Sequence, residues 1–155
     1  MNTAALIIDC WENTYITPYI IQHLQSNNDI TVVIVATYPQ SPLDSRLLPV
    51  TETDYTLVKY LRTRTSPVLN IVHYKKLRQT IRQHSISTIS VMGAAWKECV
   101  HHRPVGILAL QQLPIRVIVN PNCVQTMNVL TDPTMLEQIS QDSSWTQQGN
   151  VFLMK

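Results

Sequence analysis

The chain has 155 residues, 45% of them hydrophobic, and 12 Lys and Arg against 10 Asp and Glu give a net charge of +2. That fits one domain spanning residues 1–155 with its own core, and the basic residues read as scattered, which gives no case for nucleic acid as the main partner. No apolar run is long enough to span a bilayer and no cleavable leader is recognisable, so neither a membrane partner nor a signal peptide is expected. Cys10, Cys99 and Cys123 make an odd count without paired spacing, which points to a reducing compartment and hence the cytoplasm. Only three glycines occur, Gly93, Gly106 and Gly149, so no glycine-rich phosphate loop can be written.

Ala4 to Ile8 is a short continuous apolar run, the mark of a strand covered on both faces. It ends at Asp9. Thr17 and Pro18 give a helix start, Thr17 as the cap and Pro18 at the first helical position, with Ile20, Ile21 and Leu24 on the apolar face. Ile30 to Ala36 is a second buried strand. Residues 38–53, with Pro39, Pro42 and Pro49, read as a surface loop. Tyr55 to Lys59 reads as a third, short strand, and residues 62–70 are ambiguous. Tyr74 to His84 suits an amphipathic helix, with Leu77 and Ile81 four apart among charged residues. Ile86 to Met92 is the fourth strand, and Cys99 falls where the next helix begins. Pro104 should break or restart that helix, and Val105 to Leu113 reads as a buried one. Ile115 to Val119 is the fifth strand, Asp132-Pro133 opens another helix, and Val151 to Met154 is the last strand. This alternation predicts an α/β fold: a three-layer, doubly wound sheet of about six mainly parallel strands, in the order 3-2-1-4-5-6.

Sites in such sheets lie at the carboxyl ends of the strands. On this reading Asp9 ends the first strand, Lys59 the third and Gly93 the fourth, with Cys99 just beyond. A thiol at a helix start meets outward-pointing N–H groups that favour the thiolate, the nucleophilic form of cysteine. A carboxylate could take the thiol proton and deliver it to a leaving amine. An ammonium would poise both groups. The turn after Gly93 supplies donors for an oxyanion. Each residue also has an ordinary reading: a buried structural cysteine, a turn aspartate and a solvated lysine.

With these residues in order, the chain resembles the isochorismatase-like cysteine hydrolases, which include isochorismatases, nicotinamidases and N-carbamoylsarcosine amidohydrolases. The resemblance is carried by the apolar run ending in Asp9, by Asp54-Tyr55-Thr56-Leu57-Val58-Lys59, and by Gly93-Ala94-Ala95-Trp96-Lys97-Glu98-Cys99-Val100. It implies that Cys99 is the nucleophile, Asp9 the acid and base, and Lys59 the electrostatic partner, with Lys75 and Lys76 as competing candidates for the ammonium. It also implies a cis peptide bond between Ala94 and Ala95, beside an oxyanion hole that includes Cys99. A small-molecule substrate, no cofactor and a homo-oligomer follow from the same resemblance. Trp11 and Trp96 follow the first and fourth strands and could wall an aromatic-friendly pocket. Nicotinamidases of the family hold a metal through an aspartate and histidines after the second strand. Tyr38-Pro39-Gln40-Ser41-Pro42-Leu43-Asp44 offers no histidine there, so no metal is expected. The run after Asp9, the bulky Trp96 and the Arg103-Pro104 pair depart from the family pattern. They motivate the alternative of an inactive fold serving as an interaction or ligand-binding protein.

Overall fold

The apolar runs form the middle of one sheet. The structure, a computed structural model, describes residues 1–8, 16–36, 56–94, 99–125 and 149–153. Six strands, β1 (Asn2–Ile8), β2 (Ile30–Ala36), β3 (Val68–Asn70), β4 (Ile86–Ala94), β5 (Arg116–Gln125) and β6 (Val151–Leu153), pair in the order 3-2-1-4-5-6. Every pairing is parallel, as the alternation of strands and helices predicted. β1 is central, with Ile8 opposite Ala36 on one side and Gly93 on the other.

Side chains alternate across each strand, so the sheet divides two cores. Ala5, Ile7, Val33, Val35 and Met92 face α1 (Thr17–Ser26) and α2 (Thr56–Arg62). Ala4, Leu6, Ile34, Ile89 and Val91 face the other layer, α3 (Tyr74–Gln83), α4 (Cys99–His102) and α5 (Ile107–Leu110). α1 turns Ile20 and Leu24 inward, both buried, and each such side chain contributes about 1.5–3 kcal/mol.

Four local expectations are corrected. Thr56 to Lys59, expected in a strand with Tyr55, which lies outside the described residues, are helical: α2 runs over Thr56–Arg62, and its buried Leu57, Val58 and Leu61 follow helical spacing. Thr17 is not a cap but the first residue of α1, which starts after Ile16 without a side-chain capping bond. Residues 105–113 hold only one turn of helix, α5, and Leu108 in it is 41% exposed. β5 continues past Val119 through Pro121 to Gln125; its register against β4 jumps from Val91↔Val119 to Gly93↔Val124. Pro121 has no N–H to give a ladder, so a strand can carry it only where pairing lapses, as at this irregularity. Pro104 does end α4, which is four residues long. The expected loop over residues 38–53 and the helix at Asp132-Pro133 lie outside the described residues.

Two polar clasps hold the layers. The Arg64 guanidinium donates to the carbonyls of Leu24 and Ile30 and to the hydroxyls of Tyr60 and Ser66, tying α1, β2 and the end of α2 together. The Asn150 amide nitrogen lies 3.0, 3.1 and 2.8 Å from the carbonyl oxygens of Leu110, Leu113 and Ile115. An amide carries two hydrogens, so three carbonyls share them. The Val117 N–H donates to the Asn150 carbonyl, which seats β6 beside β5.

Candidate active site

At the carboxyl edge of the sheet, β1 and β4 come unusually close. Gly93 pairs with Ile8 and has φ +126°, a conformation that side chains rarely adopt. A Cβ built on Gly93 would stand 2.0 Å from the Ile8 carbonyl oxygen. The missing side chain therefore lets the end of β4 lie against the last residue of β1. Asp9 is the next residue of the chain after Ile8. From Gly93 the chain passes Ala94 and enters α4 at Cys99. Val100, fully buried in the α3–α5 layer, anchors α4 beside β4. The fold thus brings the position before Asp9 and the end of the strand that stops five residues before Cys99 to neighbouring strands at one edge.

The other expected site residues separate. Asp9, Trp11, Ala95 and Trp96 lie outside the described residues, as does the segment from Tyr38 to Asp44. Lys59 is exposed in the middle of α2 and ends no strand. The true β3 closes at Asn70 on the same edge, and α3 then starts there with Lys75 and Lys76 exposed in its first turn. The helix that starts at Cys99 has four residues, too short to build up much of a macrodipole. Among the described residues no three His, Cys, Asp or Glu side chains gather as a metal site needs. Among them, too, no helix is long and apolar enough to cross a membrane.

A polar cavity that sequence reading missed lies toward the opposite edge. It measures about 190 Å³ and is lined by Thr3, His23, Asp29, Thr88, Ser90 and Arg116, among others. Ser90 is buried, and its Oγ lies 3.1 Å from His23 Nε2, joining β4 to α1 across 67 residues of sequence. Burial lowers the His23 pKa from its ordinary 6.5, while the Asp29 carboxylate pulls it up. The unfolded chain therefore takes this proton more readily than the folded one. The stability held by the neutral ring is complete above about pH 6.5 and is lost as pH falls below it. The melting temperature is expected to fall between pH 7.5 and 5.5, and to fall less in His23→Gln, whose amide does not titrate. Equal falls in the two proteins would remove His23 from that account.

Neither protein-family models nor curated protein sequences match the chain. Solved structures do. The nicotinamidase/pyrazinamidase PncA from Bacillus subtilis is 16% identical, with 100% of both chains covered and a TM-score of 0.63. A second structure of nicotinamidase PncA from the same organism is 14% identical, again over 100% of both chains, with a TM-score of 0.62. The nicotinamidase SaPncA from Staphylococcus aureus is 13% identical, with 99% of this chain and 100% of that one covered and a TM-score of 0.60. These structure neighbours are nicotinamidases, and the likeness extends over the full length of each. At such identity it establishes the shared α/β fold.

Proposed function

We propose that this protein is a metal-independent, amidase-like cysteine hydrolase acting on a small molecule. The observation that carries the reading is the Ile8–Gly93 junction. It sets the position before Asp9 beside the strand that leads to Cys99, in a fold shared with the nicotinamidase structures.

In this reaction Asp9 takes the Cys99 proton and the thiolate adds to the substrate carbonyl carbon. N–H groups of the turn through Ala94 and Ala95 and at Cys99 receive the oxyanion. The C–N bond then breaks as Asp9 hands its proton to the departing amine, leaving a thioester. Water attacks the thioester, Asp9 accepts a proton from it, and the carboxylic acid leaves while the thiol is restored. Trp11 and Trp96 wall the pocket. Metal independence rests on the absence of histidine between Tyr38 and Asp44. A cytoplasmic homo-oligomer acting on a small molecule completes the proposal.

Lys59 stays in the scheme through the resemblance alone, because the strand-end argument for it is gone. Its exposure makes the test clean. Lys59→Ala is expected to change stability by less than about 0.5 kcal/mol while lowering turnover tenfold or more. Turnover kept at the wild-type level would take Lys59 out of the site. The reading as a whole is tested by screening the purified protein against nicotinamide, carbamoyl amino acids, ureido acids and isochorismate. Hydrolysis of at least one is expected, and turnover of none would return the interaction or ligand-binding alternative.

A further inference from the structure

The overall balance of +2 conceals a segregation of charge. Residues 55–97 hold eight of the chain's twelve Lys and Arg and none of its ten Asp and Glu. Half of those eight lie in α3, a helix of ten residues. α3 turns Leu77 and Thr80 inward and leaves Lys75, Lys76, Arg78 and Arg82 exposed. Lys75, Arg78 and Arg82 are three and four residues apart, so they follow one another along a single stripe. Gln79 and Gln83, also exposed, complete that face. Arg78 stacks 5.8 Å from the Tyr74 ring centroid, which holds its guanidinium on the helix surface. The one carboxylate side chain among the described residues, Asp29, lines the cavity with His23 on the opposite side of the sheet.

We propose that the exposed face of α3 binds the phosphate backbone of nucleic acid. Three cations spread over eight residues span about 10 Å of helix, which suits a repeating anion rather than one compact phosphate. Duplex DNA offers a negative charge about every 1.7 Å of its axis, about twice the density of an extended acidic peptide at ~3.3 Å per residue. The glutamine amides add donors for phosphate oxygens without adding negative charge. Beside these cations and amides the surface carries one aromatic ring, Tyr74, which Arg78 stacks on, and no row of apolar side chains to bury in an acyl layer, which sets it apart from membrane-surface helices. α3 starts at the same sheet edge as the proposed site, and Lys75 is a competing candidate for its ammonium, so the proposal is judged on duplex binding, which the outcome of the hydrolase screen does not decide.

The test is anisotropy of a fluorescein-labelled 20-base-pair duplex titrated with the full chain. Half-saturation is expected at or below about 10 µM protein in 50 mM salt, with log affinity falling against log salt by about 0.9 per phosphate contacted, near −2.7 for three. The triple variant Lys75→Gln, Arg78→Gln, Arg82→Gln keeps good helix formers and is expected to bind at least tenfold more weakly with an unchanged melting temperature. Should the triple variant fold poorly, Arg82→Gln alone is expected to cut the salt slope by about 0.9. No binding by wild type, or undiminished binding by the variants, overturns the proposal. So does equal binding to poly-glutamate of the same charge, or binding to phosphatidylserine vesicles without binding to the duplex.

Discussion

Cys99→Ala is expected to lower turnover by about a thousandfold or more on any substrate the screen identifies, while leaving a folded protein that still binds it. Without the sulfur no thioester forms, and what remains is the binding and oxyanion stabilisation of the surrounding backbone. Asp9→Asn should cost as much, because the amide keeps the shape of the carboxyl group but moves no proton. In the proposed mechanism the two residues act on one proton and one bond, so their losses should not add. The double variant is expected to be little worse than either single one. Mass spectrometry of wild type mixed with substrate should detect an acyl group on Cys99 and on no other cysteine. A Cys99→Ala protein that keeps more than about a tenth of wild-type turnover, or an acyl group on Cys10 or Cys123, would end the nucleophile assignment.

Gly93→Ala is expected to be the most damaging single-methyl change in the sheet. The new Cβ would meet the Ile8 carbonyl oxygen at 2.0 Å, and both partners are backbone in paired central strands. Neither a rotamer change nor a side-chain shift can relieve such a contact. The φ of +126° adds strain of its own. A loss of about 4 kcal/mol or more is expected, a large share of the 5–15 kcal/mol that holds a typical domain. Urea unfolding would measure it, or soluble yield if the variant does not fold. Gly149→Ala is the control. Its φ is +56° with nothing within 4 Å of the added carbon, so only about 1 kcal/mol of left-handed strain is expected. Comparable losses at the two glycines would contradict the close approach of β4 to β1.

Much of the sheet was legible because its central strands are buried on both faces. Ala4 to Ile8 has no polar side chain at all, and in Ile30 to Ala36 and Ile86 to Met92 the apolar residues still outnumber Thr31, Ser87, Thr88 and Ser90. Helices between them left few ways to order parallel strands. The third strand was misplaced for a physical reason. Residues 55–59 carry Tyr55, Thr56 and Val58, aromatic and β-branched side chains common in strands. Two turns of helix are too short for the spacing of Leu57, Val58 and Leu61 to decide otherwise. The real β3 has three residues and no pattern at all. That error moved Lys59 to a strand end it does not occupy. At the site, the apolar run before Asp9 and the glycine at the end of the fourth strand located the junction of β1 and β4. The His23–Ser90 pair gave no local signal, since it exists only once α1 folds back onto β4.

The Asn150 clasp bears on the order in which the chain becomes safe from its neighbours. β5 has one flank on β4, but its other flank is closed by β6, which the Asn150 carbonyl and amide hold in place. During synthesis, β5 is complete at Gln125 while Asn150 is still 25 residues from being made. At the usual pace of about 5–20 residues per second, that flank stands open for roughly one to five seconds, plus the time needed to clear the ribosome. An open flank of Val117, Ile118 and Val119 is a template for another nascent chain. On crowded polysomes that open flank is a point of exposure to misassembly until β6 closes it.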